Sequence, residues 1–130
     1  MKTTIEEFHI RAIGYVENKF DRPTMPEKIR LTESRLVIDP AFVDGLQGLE
    51  SGSRVMVVFY FHRSEGYRLL QHPRGDSSQP QRGVFALRSP HRPNPIGVTI
   101  VDILAVQGNV LRVGGLDAIN GTPVLDLKPA

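Results

Sequence analysis

Cysteine is absent from this 130-residue chain. That excludes disulfide frameworks, thiolate nucleophiles and zinc–thiolate sites, and it suits a reducing compartment. Charge of either sign is nearly balanced. The formal net charge is +2, which argues only weakly for a nucleic-acid partner. Long hydrophobic runs are missing as well. The longest, residues 55–61, has strand length and falls far short of the roughly 20 residues that cross a bilayer. The opening MKTTIEEFHI holds two glutamates and no apolar stretch, so it does not read as a signal peptide, and the chain reads as cytoplasmic. No G-x-G-x-x-G follows a strand and no long helices alternate with strands, which argues against a Rossmann-type domain. His62, His72 and His91 fall at irregular spacings with no H-x-H or H-x-x-x-H pattern, so no metal site is expected. Ser89 lacks the G-x-S-x-G elbow of a serine hydrolase.

What is present is a globular composition, 40% hydrophobic, in a length that suits one domain over residues 1–130. Twelve glycines and ten prolines punctuate short apolar runs, the pattern of a β-rich fold. Strands are expected at residues 9–16, 35–38, 54–61, 67–70, 83–87, 98–106, 110–113 and 122–127. Residues 22–27, RPTMPE, read as a proline-stiffened loop. Asp39-Pro40 reads as an N-cap followed by a first-turn proline, giving a short helix over residues 40–45. Gln107-Gly108-Asn109 and Asn120-Gly121 read as tight turns. RVMVVFYF, residues 54–61, is apolar on both faces and reads as a central, buried strand. The expected architecture is mainly β, a single-sheet β-barrel of about seven strands with one short helix, because closure removes sticky edges.

Positive charge gathers in one place. Between His62 and Arg92 lie six arginines, Arg63, Arg68, Arg74, Arg82, Arg88 and Arg92, against Glu65 and Asp76. A planar guanidinium suits carboxylates, phosphates and base stacking better than an ammonium does. The segment ends in SPHRPNPIG, residues 89–97, with three prolines in six positions. Proline cannot join a ladder and holds its predecessor extended, so this is a rigid loop displaying Arg88, Ser89, His91, Arg92 and Asn94. A rigid connector with solvated polar residues and a pre-organised binding surface are both compatible with that composition.

Two strings, GVFALRSPHRPNPIG (residues 83–97) and GLDAINGTPVLDLKP (residues 115–129), resemble the signature of the TsaA-like family, also called TrmO or VirR-type. The resemblance runs from Ile13-Gly14 through Pro26, residues 46–50 and Phe61-His62 to Pro129. It implies an S-adenosylmethionine-dependent methyltransferase acting on N6 of a modified adenosine at position 37 of tRNA, beside the anticodon. It also implies a homodimeric β-barrel with the cofactor near the subunit interface. The family pattern usually carries threonine where Leu87 stands. The extra C-terminal domain that many of the bacterial tRNA enzymes carry as an aid to RNA binding is not expected within residues 1–130.

By that resemblance Met25, Pro26, Glu27, His62, Arg63, Arg88, Val98, Gly115, Leu116 and Asp117 match positions that line the cofactor site. Arg63 or Arg88 suits the methionine carboxylate. Val98 and Met25 suit the adenine, Asp117 the ribose or the α-ammonium, and glycines 114 and 115 allow close backbone approach. Asn94 and Asp126 are the candidates for holding the target amino group and its proton. His91, Arg92 and Arg82 are placed on the substrate side. Arg92, Phe85 and Tyr60 are candidates to stack on the target base, and Arg68, Arg74 and Arg82 to meet phosphates. Each has a plainer reading: the glycines as turns, His62 as a structural histidine, Phe85 and Tyr60 as core. Two other functions also fit: the same cofactor with a small-molecule or protein substrate, and a non-catalytic RNA-binding barrel.

Overall fold

Strands this short cannot bury a face alone, and they do so by closing on one another. A computed structural model describes residues 5–23 and 25–130. Residues 1–4, on which part of the leader reading rests, and Thr24 within RPTMPE lie outside the described residues. In chain order the described strands are β1 (Gly14–Glu17), β2 (Ser34–Ile38), β3 (Arg54–Tyr60), β4 (Leu70–Gln71), β5 (Arg82–Gly83), β6 (Ile96–Gln107), β7 (Val110–Gly114) and β8 (Pro123–Pro129). Six of them close into a barrel in the order β1-β2-β7-β6-β3-β8, and β4 and β5 form a separate two-stranded ladder. Every pairing is antiparallel. The fold class is therefore as expected, with six barrel strands rather than about seven.

The period of two sends alternate residues inward. Val16, Leu36, Ile38, Val55, Val57, Phe59, Val101, Ile103, Leu111, Val113 and Val124 are all buried and fill the interior as one cluster. Both faces of β3 are apolar, but the barrel is one layer thick. Val55, Val57 and Phe59 are buried, whereas Met56 and Val58 are only half-buried and Tyr60 is exposed. The reading of β3 as a strand buried on both faces is thus corrected: its outer face runs from half-buried to exposed.

Local turn chemistry appears as expected. The Asp39 side chain accepts from the Ala41 amide at 2.9 Å and starts a 3₁₀ helix, Pro40–Leu46. Gly108 and Gly121 take positive φ at the two tight turns. Other elements differ. RPTMPE gives way not to a loop throughout but to a helix, α1 (Pro26–Arg30), with proline at its first position. The first strand begins at Gly14, not at residue 9: its ladder with β2 runs over Gly14–Glu17 and that with β8 over Gly14 and Tyr15. Within 83–87 only Gly83 belongs to a strand, and Val84–Ala86 form a 3₁₀ turn.

Candidate functional site

The site grows from a mismatch in strand length. β6 is twelve residues long, but β7 accompanies it only as far as Asp102, which faces Gly114. There Gly115 turns at φ +93°, a conformation that costs a side-chain-bearing residue steric strain, and the chain leaves the ladder. The first half of β6, residues 96–101, keeps β3 on one side and loses its strand partner on the other. Along that opened edge lies a cleft of about 1600 Å³.

Three segments wall it. The first is α1 with the residue before it, contributing Met25, Pro26, Glu27 and Arg30. The second is β6 itself with Asp117 beside it. The third is the long excursion, residues 61–95, which carries all six clustered arginines. Backbone and side-chain bonds tie that excursion down. Phe61 N–H donates to Pro95 O at 2.7 Å, Val84 N–H to Leu69 O at 2.8 Å. Ser64 Oγ donates to Pro90 O at 2.9 Å and Gln71 Nε2 to His91 O at 2.6 Å. The proline loop is therefore braced from beneath as well as stiffened by its own composition.

Of the expected residues, Met25, Pro26, Glu27, Arg88, Val98 and Asp117 line the cleft together, with His91 and Arg92. Arg88 Nη1 donates to Val98 O at 3.3 Å, on the edge of β6 that β7 has left. Asp117 accepts from Thr99 Oγ1 at 2.7 Å and from Arg30 Nη2 at 2.9 Å. Arg68 and Arg74 also line the cleft, and neither side chain has an acidic partner among the described residues. Charge is mixed along the lining: Glu27 and Asp117 lie on the α1 and β6 side with Arg30 and Arg88, and Arg68 and Arg74 lie on the excursion with Glu65.

The other expected residues lie elsewhere. Leu116 is a fully buried core residue and does not line the cleft. Gly115 serves the turn. Arg63 donates to Asp21 O at 3.3 Å, and His62 packs near Gly121, both on the loop side of β3 rather than in the cleft. Burial, and then the Arg63 charge, hold the His62 imidazole below its ordinary range. Arg82 sits in β5 and Phe85 is exposed outside the cleft. Asn94 and Tyr60 line a second, smaller groove of about 390 Å³ with Phe8, Ile10 and Leu125. Asp126 points from the outer face of β8 to Lys128 at 2.8 Å, and that bond lowers its carboxyl pKa. Arg92 reaches the cleft but spends Nη1 on Leu87 O at 2.9 Å and Ser89 O at 3.3 Å. Sequence reasoning missed Arg30, Thr99, Gln71 and His72. Only Arg30 left a signal, as a basic residue just past the proline-rich loop. Among the described residues no group of three or more histidine, aspartate or glutamate side chains is arranged to hold a metal ion.

Comparison with known proteins places this architecture. Residues 13–130 match the family model described as the tRNA-methyltransferase O N-terminal domain. A probable S-adenosyl-L-methionine-binding protein of Methanothermobacter thermautotrophicus is 41% identical over 95% of this chain and 90% of its own length. The tRNA (adenine(37)-N6)-methyltransferase of Rattus norvegicus is 38% identical over 90% of this chain but only 29% of its own. The crystal structure of TrmO from Pseudomonas aeruginosa superposes with a TM-score of 0.70 at 34% identity, covering 96% of this chain and 56% of that one. The chain therefore spans about a third or less of some of these relatives and nearly all of others.

Proposed function

The chain belongs to the tRNA-methyltransferase O N-terminal domain family, and on that premise we propose that it is an S-adenosylmethionine-dependent methyltransferase acting on N6 of adenosine 37 in tRNA. The observation that carries the reading is the cleft beside β6, where Met25, Glu27, Arg88, Val98 and Asp117 gather with Arg68, Arg74 and His91 of the excursion.

The residues present fit the cofactor. Val98, Ile100, Met25 and Pro26 offer an apolar surface for adenine. Arg88 uses one nitrogen on Val98 O and has further N–H groups for the methionine carboxylate. Glu27 supplies negative charge for the ammonium and the sulfonium setting, and Asp117, whose charge is shared with Arg30, keeps lone pairs for a ribose hydroxyl. A drug-sized ligand fills a pocket of roughly 300–1,000 Å³, so the cleft has room for a nucleoside as well.

When bound, the cofactor supplies an activated methyl group. The chain's own contribution is alignment, which accounts for up to roughly 7–11 kcal/mol in well-oriented reactions. The adenine amino nitrogen is a poor nucleophile because its lone pair is delocalised into the ring. It must be held in line, and its proton must reach an acceptor. Glu27, Glu65 and Asp117 are the carboxylates that line the cleft. Asn94 and Asp126, the candidates chosen from the sequence for their side-chain oxygens, lie outside it, and the Lys128 contact makes Asp126 a weaker base. A flipped adenosine enters from the side of Arg68, Arg74 and His91, with phosphates meeting the arginines. The anticodon loop and a cytoplasmic location belong to the same proposal.

A homodimer is the third part of it. Support comes from the outer faces of β3 and β6, where Met56 and Val58 continue the apolar surface of Val98 and Ile100 out of the cleft. Light scattering on the purified chain tests that: a strictly monomeric protein at micromolar concentration would remove it. For the activity, the protein is titrated with S-adenosylmethionine by calorimetry and incubated with methyl-labelled cofactor and a tRNA pool. Cofactor binding with label recovered as N6-methylated adenosine is expected. Binding without label in the nucleoside digest would overturn the tRNA reading, and RNA binding without cofactor binding would remove the enzyme.

A further inference from the structure

The helix α1 has five residues, too few to be stable in isolation. It nevertheless forms one wall of the cleft, with Met25, Pro26 and Glu27 at its leading end. Two contacts set its position. Ile29 is its one buried side chain. Arg30, at its last position, reaches Asp117 Oδ2 at 2.9 Å. The other carboxylate oxygen of Asp117 accepts from Thr99 Oγ1 at 2.7 Å, on the opened half of β6. The three side chains thus link α1, the segment after β7 and β6 across the gap where the ladder ends.

The acidic end of this link is better insulated than that of a surface ion pair, although Arg30 itself is 48% exposed. The Asp117 side chain is 20% exposed, against 51% and 54% for the acidic partners in the Lys128–Asp126 and Arg35–Glu17 pairs. Both its oxygens are held, so the carboxylate has little freedom to turn, and Arg30 has one place to dock. A helix held by one buried side chain would otherwise sample several orientations.

We propose that Arg30 and Thr99 are positioning residues for the cofactor site. Acting through Asp117, they lock α1 against the open edge of β6, so that Met25, Pro26 and Glu27 stand in register with Val98 and Arg88. Neither needs to touch the cofactor. The inference rests on the cofactor reading above and concerns how that site is kept assembled. If α1 is docked only a tenth of the time without the latch, apparent affinity falls about tenfold while the docked site binds unchanged.

The test compares the full chain with Arg30→Met, Arg30→Lys, Thr99→Val and the double variant Arg30→Met/Thr99→Val. Cofactor affinity is read by calorimetry, and amide hydrogen exchange across residues 25–31 is read without ligand. Arg30→Met and Thr99→Val should each weaken S-adenosylmethionine binding by about tenfold. Both should speed exchange in α1 while leaving the strands β3 and β6 protected. Arg30→Lys should recover part of the affinity, and the double variant should lose less than the product of the single losses, because both act on one carboxylate. Unchanged affinity in Arg30→Met and Thr99→Val, with the parent binding normally, would overturn the latch. So would lost affinity with α1 exchange unaltered. A parent chain that binds no S-adenosylmethionine fails the cofactor reading instead, and exchange in α1 still decides whether the three side chains hold the helix.

Discussion

At Gly97 an added Cβ would come within 2.7 Å of the Phe61 ring and 2.8 Å of the Phe59 ring. Those rings meet edge to face at 5.2 Å, beneath the start of β6. Gly97→Ala must therefore displace an aromatic pair or shift β6, and it should cost about 1–3 kcal/mol in chemical denaturation. Cofactor binding should weaken with it, since Val98 and Thr99 follow directly; a variant as stable as the parent would mean the rings yield freely. His62 gives a pH signature. Burial first, and then Arg63, depress its pKa in the folded chain. The unfolded chain then takes up the proton more readily, so the contribution is fully present above the ordinary imidazole pKa of about 6.5 and is lost as pH falls through the depressed one. Between about pH 7 and 5.5 the parent's thermal midpoint should fall more steeply than that of His62→Gln. Parallel curves would remove the effect. Lys128 and Arg112 depress the carboxyls of Asp126 and Glu33, whose contributions are present above the ordinary carboxylate pKa and are lost as pH falls through the depressed ones.

Elements with their own turn chemistry were legible, and elements that depend on a distant partner were not. Asp39-Pro40, Gly108 and Asn120-Gly121 each declare a backbone conformation within two or three residues, and each is found as expected. Residues 67–70 and 83–87 have strand-like composition, but whether a residue pairs depends on what lies beside it. Only Leu70–Gln71 and Arg82–Gly83 find each other. The helix α1 was hidden for a different reason: five residues with one apolar contact show no helical period. Ile29 is that contact, and Ile29→Ala should cost about 2–5 kcal/mol of stability, read from the denaturant midpoint. The loss should be accompanied by faster protease cleavage near residues 22–31 than elsewhere in the chain. Uniform cleavage would mean that Ile29 supports the whole barrel rather than this wall.

Over the whole molecule, basic charge is collected on the excursion between β3 and β6, so RNA affinity should be strongly salt-dependent despite a net charge of only +2. Each phosphate contact to a single-stranded loop contributes about 0.7 to the slope of log affinity against log salt. Replacing Arg68, Arg74 and Arg82 by glutamine should flatten that slope by about 2 if all three meet phosphates. An unchanged slope would put the RNA on another face. The amino-acid sequence alone determined the β class, the likeness to a methyltransferase family and the two motifs, because these depend on residue type and local spacing. The tertiary structure decided which motif residues face the cleft. Arg63 is bound to a backbone carbonyl and Asp126 to Lys128 outside it, and Leu116 lies in the core. Asp117, by contrast, is joined to Arg30, 87 positions away, and to Thr99. Whether a side chain is free for a ligand depends on its partners in space, and those are set by where the barrel closes and where β7 leaves β6.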